Sequence, residues 1–112
     1  MIKLLELWTR RSDMTHDEAV KHWQEVHVPL VIKTLDKYII KYVTNIGIPL
    51  DIRGWSAEEA PPYDGMAEFW LDMDMEEFHR VIAETAHILQ PDERKFIGTY
   101  RPMLVQEVIQ KG

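Results

Sequence analysis

One stretch near the N-terminus decides the fold, because it predicts an amphipathic helix with a defined beginning. It is Thr15-His16-Asp17-Glu18-Ala19-Val20-Lys21-His22-Trp23-Gln24-Glu25-Val26-His27-Val28-Pro29. Thr15 and Glu18 have the spacing of a capping box, in which each side chain satisfies a free backbone N–H of the first turn. Because Pro29 lacks an N–H, we expect the helix to kink or end close to His27. The apolar stripe predicted for this helix comprises Ala19, Val20, Trp23, Val26 and Leu30.

The segments on either side of this helix alternate between strand and helix patterns. Strands are predicted over residues 2–9, 37–45, 64–71 and 99–109. A second helix opens at Asp74, and a polar connection is expected over residues 90–96, after Pro91. Pro102 predicts that the last strand lies at a sheet edge or carries a bulge. The order βαββαβ is typical of an α+β fold, the ferredoxin-like plait, with four antiparallel strands and both helices on one sheet face.

Composition limits the class of protein. The chain has 112 residues, a net charge of −6 and no cysteine, so we expect a single domain over residues 1–112. Its basic residues are scattered, which argues against a nucleic-acid partner. Disulfides and cysteine-based metal sites are excluded. No signal-peptide pattern or membrane-length apolar run is present, so a cytoplasmic protein with no membrane partner is expected.

Both faces of the predicted sheet carry large apolar side chains. In the first strand Leu4 and Trp8 lie on one face, and Leu5 and Leu7 lie on the other. Since the helices cover only one face, the second would leave an exposed apolar patch on a monomer. The sequence therefore predicts a homodimer in which two sheets pack face to face, a dimeric α+β barrel.

His27 is the first candidate for chemistry. It falls inside the apolar stripe, where a titratable imidazole must find a polar partner or act as an acid or base. A hydrogen-bonded structural histidine is the alternative. His22 is five residues away, so the two rings should point about 140° apart on an α-helix, and we expect no metal site here.

Two Glu-x-Trp motifs are the second candidate. Glu6-Leu7-Trp8 lies in the first strand and Glu68-Phe69-Trp70 in the third, and these strands are neighbours at the centre of the plait. The pairing can place both carboxylates and both indoles on one sheet face. Carboxylates buried near aromatic rings have raised pKa values, which suits general acid–base catalysis. An ion pair across the dimer interface is the alternative.

Several motifs together resemble the EthD family. They are His27-Val28-Pro29, Lys37-Tyr38, Tyr63-Asp64-Gly65-Met66-Ala67-Glu68-Phe69-Trp70 and Asp92-Glu93 followed by Phe96. The resemblance implies a dimeric α+β barrel. It also implies a relationship to cofactor-free isomerases, polyketide cyclases and decarboxylases, and to accessory proteins. In an isomerase of this family, a first-helix His and a second-strand Tyr shuttle the proton, and these fall on His27 and Tyr38.

Two classes of function therefore remain open. The first is a cofactor-independent enzyme that moves protons on a small phenolic, polyketide or lactone substrate, by cyclisation, isomerisation, dehydration or decarboxylation. His27 and Tyr38 would be catalytic, while Trp8, Trp23, Glu68 and Trp70 would bind the substrate. The second is a non-catalytic, small-molecule-binding dimer, and a cofactor-free oxygenase is a subsidiary possibility. Residues 46–63, with Trp55, are expected to cover the pocket.

Overall fold

The computed structural model describes residues 1–50 and 61–112, and its elements follow the predicted order. Most of the segment expected to cover the pocket, including Trp55, lies outside the described residues. The elements are β1 (Ile2–Arg10), α1 (His16–His22), a π-helical turn (Trp23–His27), α2 (Val28–Leu35), a 3₁₀ turn (Asp36–Tyr38), β2 (Ile39–Ile46), β3 (Gly65–Leu71), α3 (Met75–Glu93) and β4 (Ile97–Val105). The four strands form one antiparallel sheet in the order β2-β3-β1-β4, as the α+β ferredoxin-like plait requires.

The start of α1 and the position of β4 are as the sequence predicts. Thr15 Oγ1 accepts from the Glu18 N–H at 3.1 Å, and Glu18 Oε1 accepts from the Thr15 N–H at 2.9 Å. Strand β4 is an edge strand, and Pro102 pairs in register with Glu6 of β1. A proline can occupy an edge strand because the strand has no partner on its outer side.

The sequence predicts a kink or an end of the first helix close to His27, and the structure has an irregular turn there, after which the helix continues past Pro29. A π-helical turn precedes the proline, and the N–H of Val28 donates to the Trp23 carbonyl, five residues back. In an α-helix the Pro29 ring would clash with the Glu25 carbonyl, and the wider turn relieves this clash. Pro29 then occupies the first turn of α2, where its missing N–H is tolerated.

The second helix also continues through a proline. Helix α3 includes Pro91 and ends at Glu93, so the polar connection expected from residue 90 is shorter than predicted. Pro91 lies in the last turn, where it removes only one hydrogen bond. The Arg94 N–H still donates to the Gln90 carbonyl at 3.1 Å. Asp92 is thereby held on the helix, facing the core.

The core lies between the helices and one face of the sheet. Trp8 is 2% exposed and makes edge-to-face contacts with Trp23 and Phe96, at ring-centroid distances of 5.1 and 5.0 Å. The first helix buries every fourth residue, and His27 lies on this face as predicted. Val26, by contrast, is 46% exposed, so its place in the predicted stripe is wrong. The buried residues of this helix are Ala19, Trp23, His27, Val31 and Leu35.

The two Glu-x-Trp motifs lie on opposite faces of the sheet. In the β1–β3 register Glu6 is opposite Ala67, and Glu68 is opposite Leu5. The motifs are therefore offset by one residue, and successive side chains of a strand alternate between faces. Glu6 and Trp8 face the helices, whereas Glu68 and Trp70 face away from them.

No helix within the described residues is long and apolar enough to cross a membrane.

Replacement of Gly65 by Ala tests the packing of this core. A Cβ at Gly65 would lie 2.5 Å from Trp8 Nε1 and 2.7 Å from the Trp23 ring. Such overpacking should lower the free energy of unfolding by about 1–3 kcal/mol. Urea unfolding measures this loss, with Gly112→Ala as the matched control because nothing lies within 4 Å of its added Cβ. A Gly65→Ala protein as stable as the control would contradict the packing described here.

Candidate active site

A cavity of about 150 Å³ lies between the helices and the covered face of the sheet. Its walls are mainly aliphatic, and Phe69 and Tyr100 add aromatic rings. An engineered apolar cavity of about this size in another protein holds one benzene ring. The site is therefore large enough for a single-ring molecule. Its lining comprises Leu4, Glu6, His27, Val31, Leu35, Phe69, Leu71, Ile82, Thr85, Ala86, Leu89, Gln90, Glu93 and Tyr100.

His27 is held by a buried carboxylate. The residue is 6% exposed, and its Nδ1 lies 2.8 Å from Oδ2 of Asp92. An ionised carboxylate can only accept hydrogen bonds, so Nδ1 donates to Asp92. In the neutral ring Nε2 then carries a free lone pair, and it lies 4.0 Å from Oε2 of Glu93, another cavity residue. This arrangement fixes both the orientation of the ring and its tautomer.

The π-helical turn brings a second histidine to the same carboxylate. His22 Nε2 lies 2.9 Å from Asp92 Oδ1. The wider π turn contains one residue more than an α turn, so residues five apart come onto one face of the helix. The divergence of about 140° expected for His22 and His27 on a regular α-helix therefore does not apply. His22 is half-buried rather than solvated.

The shared carboxylate and the burial of the site set the protonation of this pair. Burial lowers the pKa of His27, and it outweighs the opposite effect of the hydrogen bond to Asp92. Burial alone would raise the pKa of Asp92, but the hydrogen bonds from His22 and His27 outweigh it and leave that pKa lowered. At neutral pH Asp92 is anionic and His27 is neutral. The Nε2 atom of His27 is then free to accept a proton.

A second polar cluster lies in the same cavity. The Tyr100 hydroxyl donates a hydrogen bond to Oε2 of Glu6. Burial raises the pKa of Glu6 to about 7, against the lowering effect of Tyr100 and with a further increase from the charge of Glu93. Burial and the neighbouring Glu6 raise the pKa of Tyr100, so the phenol keeps its proton. Burial and the charge of Asp92 also raise the pKa of Glu93.

The site residues named from sequence are divided between three places. His27 lines the cavity, and Trp8 and Trp23 are buried in the core beside it. Tyr38 is not among the described lining residues; it lies in the 3₁₀ turn after α2, about 12 Å of helix beyond His27. Glu68 and Trp70 lie on the opposite face of the sheet.

Trp70 is part of a charged cluster on that far face. The ammonium groups of Lys3 and Lys41 lie 4.3 and 4.9 Å from the centroid of its ring. Lys3 Nζ is also 3.5 Å from an oxygen of Glu68. The indole N–H of Trp70 donates to Glu107 at 2.9 Å. Glu68 and Trp70 therefore belong to a surface cluster on the far side of the sheet, and the sheet lies between them and the cavity that contains His27.

Three residues that line the cavity or support His27 were not identified as site residues from the sequence. Asp92 and Glu93 occurred only within the family motif, on a segment expected to be an irregular connection. Tyr100 had one available signal, because it lies two residues before Pro102 on the same face of β4, and Pro102 is opposite Glu6. Within residues 1–50 and 61–112, no group of three or more His, Asp or Glu residues is arranged to hold a metal ion.

Comparison with known families identifies the class of protein. The sequence matches the EthD domain over residues 11–99, which is most of the chain. The protein therefore belongs to the EthD family. A search of curated protein sequences gives no match.

Solved structures of similar fold support the architecture. An EthD-like protein from Ralstonia eutropha superposes with a TM-score of 0.74 at 16% identity, covering 98% of this chain and 94% of that one. An ethyl tert-butyl ether D family protein from Bacillus halodurans gives 0.68 at 19% identity, covering 96% and 99%. A dimeric ferredoxin-like protein of unknown function from Bacteroides fragilis gives 0.61 at 8% identity, covering 95% of each chain. At such low identities, the likeness shows a shared fold alone.

Glu6→Gln tests the environment of the second cluster. Between pH 4.5 and about 7 the folded protein keeps a proton on Glu6 that the unfolded chain releases, so the wild type loses stability as the pH rises through this window. Glutamine does not titrate. The variant should equal the wild type near pH 4 and exceed it by about 1–3 kcal/mol at pH 8.

Urea unfolding at several pH values measures this difference. Glu76→Gln is the matched control: it makes the same chemical change at an exposed residue, on helix α3. A difference between Glu6→Gln and wild type that does not grow with pH would contradict the raised pKa of Glu6.

Proposed function

We propose that this protein is a cofactor-independent enzyme that transfers protons within a small cyclic substrate of the phenol, lactone or polyketide class. The observation that carries the proposal is the His27–Asp92 pair, whose free Nε2 opens into an apolar cavity of one-ring size. A general base works best when its pKa lies near the operating pH, and a neutral, oriented imidazole meets that condition. Isomerisation is the reaction we favour, by analogy with methylmuconolactone methylisomerase, which the EthD motifs in this sequence resemble; the analogy concerns the proton shift and not the charge of the substrate.

The proposed step moves one proton between two carbon atoms. His27 Nε2 removes a proton from a carbon next to a carbonyl, and the electron pair passes to the carbonyl oxygen as an enolate. The resulting imidazolium is stabilised by Asp92, which remains anionic. The imidazolium then returns the proton to a second carbon, so the substrate is isomerised and the enzyme is restored. The mainly apolar lining would reduce the water that competes for the proton.

We assign the second proton-transfer role to Tyr100 rather than to Tyr38. The family resemblance assigns the second proton-transfer role to Tyr38, but Tyr38 follows two further turns of helix beyond His27. Tyr100 lines the cavity together with His27, and its hydroxyl is already hydrogen-bonded to Glu6. Trp8 and Trp23 would then support the cavity from behind rather than contact the substrate.

Isomerisation of a small unsaturated lactone tests the catalytic role of His27. α-Angelica lactone is a neutral five-membered ring that becomes its α,β-unsaturated isomer by one such proton shift. We expect the wild type to accelerate this conversion, followed by ultraviolet absorbance. His27→Gln should lower the rate by about 10²–10⁴, since the base is lost. Asp92→Asn should also lower it, because the tautomer of His27 is no longer fixed.

The control for this experiment is His87→Gln, since His87 is exposed on α3. It should leave the rate unchanged, and circular dichroism checks that each variant is folded. A wild-type rate no higher than that of His27→Gln would contradict catalysis by this residue. Retained lactone binding in that case would favour the non-catalytic binding protein, and oxygen uptake in place of isomerisation would favour the cofactor-free oxygenase.

We also propose that two copies of the chain pack through the far face of the sheet. The centre of that face is apolar, and in register Leu5 lies opposite Met103 and Leu7 opposite Met66. Met103 is 52% exposed in the monomer. The similar Bacteroides fragilis protein is described as dimeric. Burial of such a face between two copies would remove apolar surface from water.

Sedimentation velocity at micromolar concentration tests this assembly. The wild type should sediment as a dimer, and Leu7→Lys should shift it to monomer, because the new positive charge would be buried opposite Arg101, its neighbour in β4, without a negative partner. Ile32→Lys is the control, since Ile32 is 45% exposed on helix α2, away from this face. A monomeric wild type would contradict the proposed dimer.

A further inference from the structure

The cavity has a marked imbalance of charge. Its ionisable lining residues among those described are Glu6, His27, Glu93 and Tyr100, with no lysine or arginine. A buried anionic ligand needs a positive or hydrogen-donating partner. The ionisable groups present supply two carboxyl groups, one phenol that already donates to a carboxyl, and one imidazole that is neutral at pH 7. Of the neutral polar lining residues, Thr85 already donates to the Val81 carbonyl, so the Gln90 amide is the remaining uncharged donor.

The nearest described cation lies outside this cavity. Arg94 lines an adjoining recess, which shares Gln90, Glu93 and Tyr100 with the main cavity. The guanidinium of Arg94 is close enough to lower the pKa of Glu93, although burial outweighs it and that pKa stays raised. Arg94 is exposed and does not line the main cavity, so its guanidinium lies outside the space in which a ligand would be held.

The Glu6–Tyr100 pair is suited to a neutral oxygen group. Together the two side chains carry one or two transferable protons and several lone pairs, so they can donate to a carbonyl oxygen or accept from a hydroxyl. Both groups are fixed at one edge of the cavity by the register between β1 and β4, in which Glu6 is opposite Pro102 and Tyr100 is opposite Trp8. The other walls offer mainly apolar contact.

We infer that the cavity selects an uncharged, single-ring molecule with one hydroxyl or carbonyl group, which binds the Glu6–Tyr100 pair, and that Glu6 and Glu93 exclude carboxylate-bearing rings. This inference rests on the proposed function only in taking the cavity as the substrate site. It makes Glu6 and Glu93 determinants of specificity, separate from the acid–base role of His27, and gives Tyr100 a binding role beside the one proposed above. A ring that carries its own carboxylate would need a binding mode outside this cavity.

Three methylbenzenes of similar size, which differ in the group para to the methyl, test the selection. They are p-cresol, which has a hydroxyl, toluene, which has no oxygen, and p-toluate, which has a carboxylate. Isothermal titration at pH 8 should give p-cresol an affinity at least tenfold higher than either of the others, because only p-cresol satisfies the polar pair without adding a negative charge. Ala86→Phe should abolish p-cresol binding, since Ala86 lines the cavity and a phenyl group would fill it.

Charge removal tests the cause of the exclusion. Glu6→Gln and Glu93→Gln should each raise the affinity for p-toluate by tenfold or more, while p-cresol affinity in Glu6→Gln changes less than threefold because the amide still hydrogen-bonds. Glu84→Gln is the control, since Glu84 is exposed on α3 and pairs with Arg80. Measurement at pH 8 keeps His27 neutral and Tyr100 protonated in all variants.

The outcomes separate this inference from the proposed function. Wild-type binding of p-toluate as tight as that of p-cresol would overturn the inference, as would unchanged p-toluate affinity in both Gln variants. Loss of lactone isomerisation in His27→Gln would still support catalysis in that case. Conversely, the expected selectivity without any turnover would support the inference and contradict the enzyme.

Discussion

The two oxygens of the Asp92 carboxylate each accept a hydrogen bond from a different histidine ring, and the candidate site depends on this interaction. It joins the last turn of α3 to the π-helical turn of the first helix, so the two helices that cover the sheet are tied together at one end of the cavity. Asp92 is 6% exposed, and a buried charge without partners would be costly. Both histidines are required for a fully hydrogen-bonded carboxylate, and only the π turn presents both to it.

A second buried carboxylate fixes the other end of the first helix. Asp64 is 1% exposed, accepts from the Arg10 backbone N–H at 2.7 Å, and pairs with the Arg10 guanidinium at 2.9 Å. His16 Nδ1 lies 2.6 Å from the same carboxylate. These bonds join the end of β1, the first turn of α1 and the residue before β3. The helix is thus anchored at its start through Asp64 and at its π turn through Asp92, so the position of His27 over the sheet is well determined.

The cavity holds two groups whose pKa values burial shifts in opposite directions. A neutral imidazole is favoured for His27 and a protonated carboxyl is favoured for Glu6, for the same reason: low solvent exposure penalises whichever form carries the charge. The result is a base and a proton-bearing group in one apolar space near neutral pH. Such an environment suits the proposed proton transfer by His27, because the imidazole is already neutral and able to act as the base.

The sequence by itself determined the order of elements, the capped start of α1, the edge position of β4 and the place of His27 on the buried helix face. Each follows from contacts within a few residues or from a periodicity of two or about 3.6, which the chain carries locally. Tertiary structure decided the passage of the helix through Pro29, the separation of the two Glu-x-Trp motifs onto opposite faces, and the meeting of Glu6 with Tyr100. These features depend on strand register and on the partner that a distant Asp92 provides for two histidines. Such partners are 65 to 94 positions apart in the chain, and only packing brings them together.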